Sequence, residues 1–288
     1  MRILIIGLAA VAIGYAAIVL IFHLFQRPMQ YPAPKGYRSP QAMGLAGVDE
    51  VRLTAPDGID LLLWADLPDD ADAPVVLYFH GNAEAVWNLE DRIAMWRDTG
   101  FGFAAMSYRG YPGSGGKPSE AALIADAEQA FDWLLAQAIA PERIVVAGLS
   151  IGSGVATALA ARRPAGALVL YAPFTSALAV GKRLYPWLPI EPLMRDTWRS
   201  IDLIGRVGAP VAIVHGTADT LMPVGMARTL HAAAVEPKLL VEVEGAGHVL
   251  AAEAGWPETR AFLREQLPHG RKAARHAAPA ITFAPQDP

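Results

Sequence analysis

The chain has 288 residues, 53% hydrophobic and 18% charged, a balance that excludes an intrinsically disordered protein and is enough for a sizeable core. A net charge of -4 supplies no global basic field for nucleic acid. With no cysteine, a disulfide scaffold, a Cys-ligated metal and a cysteine nucleophile are all excluded.

Ile3 to Phe22 is an uncharged apolar run of 20 residues, long enough to cross a hydrocarbon core of about 30 Å. It is longer than the apolar region of a signal peptide, and no clear A-x-A-like site follows it. Residues 1–26 are therefore expected to form an uncleaved, single-pass membrane anchor. His23, Phe25, Arg27, Tyr31 and Tyr37 read as its interfacial collar. Arg2 and the α-amine flank one end and Arg27, Lys35 and Arg38 the other, so the positive-inside count leaves the side of the catalytic body undetermined. Pro28, Pro32, Pro34 and Pro40 predict a stiff, extended connection over 27–49. A chain starting near Pro40 is expected to fold without the anchor.

From residue 50 to 267, short apolar runs alternate with helical patterns, the signature of a mostly parallel sheet with helices on both faces. Eight strands are predicted: Glu50–Thr54, Leu61–Ala65, Val75–Phe79, Phe103–Ser107, Arg143–Ala147, Ala167–Tyr171, Val211–Val214 and Leu239–Val243. Leu89, Ile93 and Trp96 share one helical face, and Leu123, Ala127, Phe131, Leu134 and Leu135 another. The Gly110–Gly116 segment lacks the Gly-Lys-Ser/Thr ending of a phosphate cradle and reads as a flexible loop over the sheet edge. Residues 173–209 form a short insertion between the sixth and seventh strands. Its Trp187 and Trp198 are expected to wall a pocket for an apolar acyl group. Residues 268–288 lose periodicity and are expected to be a disordered tail.

Gly148-Leu149-Ser150-Ile151-Gly152 follows a β-branched strand directly and opens an Ala-rich helical run. That context suits a serine on a sharp, strained turn, where side chains two residues either side would collide with it. A nucleophilic serine needs a base, and the base needs an orienter. Asp219 follows a predicted strand in His215-Gly216-Thr217-Ala218-Asp219. His248 follows the next strand in Gly245-Ala246-Gly247-His248. The other histidines are poorer bases: His23 lies at the membrane boundary, His231 in a helical run, and His269 and His276 in the tail. His80 and His215 read as loop-orienting groups. No clustered histidines suggest a metal, and no cofactor is implied.

These motifs, together with Phe79-His80-Gly81-Asn82-Ala83 and Tyr108-Arg109-Gly110-Tyr111, resemble the α/β-hydrolase superfamily. They are similar in particular to its membrane-anchored serine hydrolases, a group with depalmitoylases and lysophospholipases. Two departures are visible: Glu84-Ala85 stands where Gly-Asn often follows, and Ser107 where Asp often precedes Tyr-Arg-Gly. The resemblance implies Ser150 as nucleophile, His248 as base and Asp219 as orienter, in the chain order of that fold. It also implies an oxyanion hole from the backbone N–H groups of Asn82 and Ile151. The expected substrate is a small-molecule or lipid-like carboxylic ester or thioester. Two rivals stay open: a serine peptidase of prolyl-oligopeptidase type, and a non-catalytic, membrane-anchored interaction module.

Overall fold

The computed structural model describes residues 1–70, 72–249 and 251–267; the expected tail at 268–288 lies outside them. All eight strands form one sheet: β1 (Asp49–Thr54), β2 (Asp60–Asp66), β3 (Val75–Phe79), β4 (Gly102–Ser107), β5 (Ile144–Leu149), β6 (Ala167–Tyr171), β7 (Val211–Gly216) and β8 (Lys238–Val243). Their order is β1-β2-β4-β3-β5-β6-β7-β8. β2 runs antiparallel to both neighbours, and the strands from β4 to β8 in that order run parallel.

Nine α-helices complete the described chain: α1 (Arg2–Gln30), α2 (Glu90–Arg97), α3 (Glu120–Ala136), α4 (Ile151–Ala160), α5 (Ala177–Leu184), α6 (Ile190–Leu193), α7 (Val224–Ala233), α8 (Ala251–Ala254) and α9 (Trp256–Gln266). The strand side chains divide between two apolar layers at the period of two that pleating imposes. Val75, Leu77 and Phe79 join the layer under α3, α4 and α7. Val76 and Tyr78 join the layer under α2, α8 and α9. The central strands are buried on both faces, which is why they read as continuous apolar runs. The insertion carries α5 and α6 over the carboxyl ends of the strands, with Ser176 capping α5 through its bond from Ala179 N–H (3.0 Å).

The N-terminal segment corrects the expected boundary at residue 26. α1 continues through Pro28 to Gln30, and Tyr31 is buried in the main core, so the 27–49 stretch is not extended from its start. The physical reason lies in the partners that its last turns find on the insertion. Gln26 bonds the Leu193 carbonyl (2.9 Å) and accepts from Arg195 N–H (2.7 Å), while Arg27 pairs with Asp196 (2.9 Å). Trp198 Nε1–H donates to Tyr31 Oη at 2.9 Å. Residues 3–14 of α1 are exposed among the described residues and present only apolar side chains and glycine; the helix is long and apolar enough to cross a membrane.

The Gly110–Gly116 loop is tied down rather than loose. Gly115 N–H donates to Asp60 O (2.8 Å), Ser114 Oγ to Ser107 O (2.7 Å), and Gly113 packs so closely on β2 that an added Cβ would lie 2.4 Å from Leu62 Cδ2.

Candidate active site

Ser150 sits between β5 and α4 with φ 54° and ψ -118°, a left-handed conformation that costs a non-glycine residue on the order of 1–3 kcal/mol. Close packing around the turn holds it there. A Cβ on Gly148 would lie 2.1 Å from the Gly152 carbonyl, and one on Gly152 would lie 2.1 Å from the Phe79 carbonyl. Ser150 N–H donates to Tyr171 O (3.0 Å), and Ser153 Oγ donates to Ser150 O (2.6 Å). These contacts aim the hydroxyl out of the turn at the N-terminus of α4, where the helix dipole favours negative charge.

The loops after β7 and β8 bring Asp219 and His248 to that hydroxyl. His248 Nε2 lies 2.9 Å from Ser150 Oγ, and its Nδ1 lies 2.6 Å from Asp219 Oδ2. With Nδ1–H donated to the carboxylate, Nε2 is free to accept the serine proton. Asp219 is 5% exposed, and its other oxygen accepts from Leu221 N–H (2.9 Å) and Met222 N–H (2.8 Å). Those two backbone donors, which no motif reveals, hold the carboxylate in place. Gly216 is needed because a Cβ there would meet the Ala246 carbonyl at 2.2 Å, on the loop that carries His248. His215, as expected, supports the loop: its Nε2 bonds Met222 O (2.7 Å), and burial pushes its imidazole below the ordinary value. His80 is fully buried at the end of β3, bonded to Gly81 O (2.8 Å), and burial pushes it down to about 4.

Asn82 and Ile151 both border the cavity at Ser150. Neither backbone N–H donates in any turn, loop or side-chain hydrogen bond found among the described residues. The Asn82 side chain is fixed from two sides, by Tyr111 Oη–H on Oδ1 (3.0 Å) and by its own Nδ2–H on Gln30 O (2.8 Å). Glu84 does not line the cavity; its carboxylate accepts the Gly81 N–H (2.5 Å) and so braces the same loop. Burial pushes the Glu84 carboxyl up, opposed by that N–H, Arg92 and His248.

The cavity holds about 230 Å³ and is walled by Phe174, Val180, Leu184, Tyr185 and Met194, with Phe22, Gln26, Met29 and Gln30 of α1 closing its other side. The two tryptophans expected in this wall are absent from it. Trp198 is 1% exposed and turned into the core over Gly154, where its indole N–H is spent on Tyr31. Trp187 is 55% exposed at the tip of the insertion, and its carbonyl accepts from Tyr15 Oη–H (3.0 Å). The contribution of α1 was not legible in the sequence. Gln26 and Gln30, one turn apart after an apolar run, were the available signal. Among the described residues, no cluster of His, Asp or Glu could hold a metal ion.

A family model described as "Serine aminopeptidase, S33" matches residues 70–200. Protein Rv2307c of Mycobacterium tuberculosis is 38% identical over 244 residues, covering 83% of this chain and 86% of that one. The alpha/beta hydrolase domain-containing protein WAV2 of Arabidopsis thaliana is 30% identical over 252 residues, covering 78% and 81%. Among solved structures, the Pyrococcus furiosus esterase Pf2001 superposes with a TM-score of 0.66 at 20% identity, covering 82% of this chain and 99% of that one.

Proposed function

The chain belongs to the α/β-hydrolase superfamily, and from that premise we propose that it is a membrane-anchored serine esterase or thioesterase acting through an acyl-enzyme. The observation that carries this reading is the continuous relay from Ser150 Oγ through His248 to Asp219, at 2.9 and 2.6 Å, beside an apolar cavity. Ser150 Oγ attacks the acyl carbon and gives its proton to His248 Nε2. Asp219 supports the imidazolium that results. The Asn82 and Ile151 N–H groups stabilise the oxyanion. As the tetrahedral adduct collapses, the bond to the leaving oxygen or sulfur breaks and His248 protonates it. Water then attacks the acyl-enzyme, His248 takes its proton and returns it to Ser150, and the carboxylic acid departs.

The helix α1 is the anchor in this proposal, with residues 32–49 as the connection. Its length and apolar surface support a span, and the bonds of Gln26, Arg27 and Gln30 to the body support retention of the helix's end.

The description of the matching family favours a second reading, an aminopeptidase. Such an enzyme must hold a substrate ammonium, and no lining residue of the cavity carries a charge. That chemistry favours an apolar acyl group, whose burial gains roughly 0.8 kcal/mol per CH₂. Hydrolysis of p-nitrophenyl esters from acetyl to octanoyl, beside amino-acid p-nitroanilides, tests the choice. The expected result is a kcat/KM that rises with acyl length and negligible anilide cleavage. A preference for acetyl over every longer chain would contradict the apolar-acyl reading, and faster anilide cleavage would favour the peptidase.

A further inference from the structure

Three features of α1 meet at the cavity. First, its last two and a half turns build part of the wall: Phe22 packs edge-on against Tyr185 of the insertion, with ring centroids 5.4 Å apart, and Phe22 and Met29 both line the space beside Ser150. Second, the mouth is mostly apolar. The exposed lining residues mark where the cavity opens to the outside: Met29, Leu184 and Leu221 at 49%, 46% and 38%, with Asn82 the polar member. Third, an exposed apolar row leads from the span to that mouth. Ile21, Phe25 and Met29 stand four residues apart on one helical face and are 58%, 55% and 49% exposed.

The insertion lies against the same helix. Tyr15, within the apolar run, bonds the carbonyl of exposed Trp187, and Val19 packs on the Leu188–Ile190 cluster. From Tyr15 to Phe22 is about 10 Å along a helix axis. If residues 3–22 lie in hydrocarbon with Phe22 at the boundary, the tip of the insertion at Trp187 therefore dips about that far below the boundary beside Tyr15. A second apolar groove, bordered by Tyr15, Val19, Leu20 and Pro189, follows the seam between helix and insertion on its outer side.

We propose that α1 is part of the substrate-binding site, and that the acyl chain of a bilayer-resident ester passes along Ile21, Phe25 and Met29 into the cavity without crossing water. This deepens, and rests on, the serine-hydrolase reading above. An apolar route has a physical advantage. A long acyl chain drawn into water loses the stabilisation of every methylene, whereas one sliding from lipid to an apolar wall keeps most of it. The row at 21, 25 and 29 then has a function beyond anchoring, which a helix serving only as a tether does not require.

The full chain reconstituted in phosphatidylcholine vesicles tests this with two substrates: a palmitoyl ester held in the bilayer and water-soluble p-nitrophenyl butyrate. Phe25→Glu and Met29→Glu should each lower the ratio of palmitoyl to butyryl kcat/KM at least tenfold. Val235→Glu, which places a charge on an exposed apolar position outside the site, should leave the ratio at the wild-type value. Fluorophosphonate labelling of each protein is read in parallel. Wild-type protein that does not label at Ser150 overturns the serine-hydrolase reading itself. Labelled Glu variants with an unchanged ratio overturn the route while leaving that reading intact. Because the chain contains no cysteine, Phe25→Cys and Met29→Cys can each carry a single fluorophore even if the Glu variants misfold. Quenching of both by a nitroxide on the lipid acyl chain is expected, with none at Gln137→Cys. Absence of quenching at 25 and 29 would overturn the proposal.

Discussion

At the scale of single residues, the turn around Ser150 shows how steric necessity becomes chemistry. Gly152 has no room for a side chain because the Phe79 carbonyl lies 2.1 Å from where its Cβ would stand. Gly152→Ala should therefore cost about 3 kcal/mol, read as a lower urea midpoint, since the obstacle is backbone that cannot rotate aside. Gly225, with nothing within 4 Å of an added Cβ, gives the contrasting case, and its Ala variant should unfold at or above the wild-type midpoint. His80 supplies a pH dependence of known sign. Its folded value is depressed by burial from 6.5 to about 4, so its contribution to stability is complete above 6.5 and is lost as pH falls toward 4. A lowering of that size corresponds to about 3 kcal/mol. Urea unfolding followed across that range should show the loss, with a shallower slope for His80→Asn, which takes up no proton. An equal slope in the variant would assign the acid sensitivity elsewhere.

Elements differ in how much of themselves the sequence declares. The strands were legible because burial on both faces demands unbroken β-branched and apolar runs, and β3 and β6 match their expected limits at Val75–Phe79 and Ala167–Tyr171. The positions of Ser150, Asp219 and His248 could be read because each follows a strand and has a glycine within three residues. The partners of α1 could not. A helix apolar on every side has no period from which a packing face can be read, and Gln26, Arg27 and Gln30 gain their meaning only from Leu193, Asp196 and Asn82, more than 50 residues away. The tryptophans misled for a related reason: size and polarity predict apolar contact but not depth, and Trp198 was drawn inward by Tyr31. Consequently the expectation that a chain starting near Pro40 folds intact is revised. Losing Tyr31 leaves a core cavity and an unpaired Trp198 N–H, so that chain should be less stable by about 3 kcal/mol or more than one starting at residue 20. Equal urea midpoints for the two chains would contradict the role given to this segment.

For the molecule as a whole, one apolar helix, one eight-stranded sheet and one short insertion converge on a single small space at the carboxyl ends of the strands. The sheet supplies the turn and loops, the insertion supplies most of the wall, and α1 connects that wall to the apolar run. The central claim is that Ser150 is the nucleophile of this assembly. Its most direct test is mass-spectrometric mapping of fluorophosphonate adducts on the wild-type chain and on Ser150→Ala, with ester turnover measured on both. The account predicts one adduct, on Ser150, no adduct on the variant, and a fall in kcat of at least about 10³-fold, matched by His248→Ala because such residues act as a unit. Undiminished labelling or turnover in Ser150→Ala would contradict it.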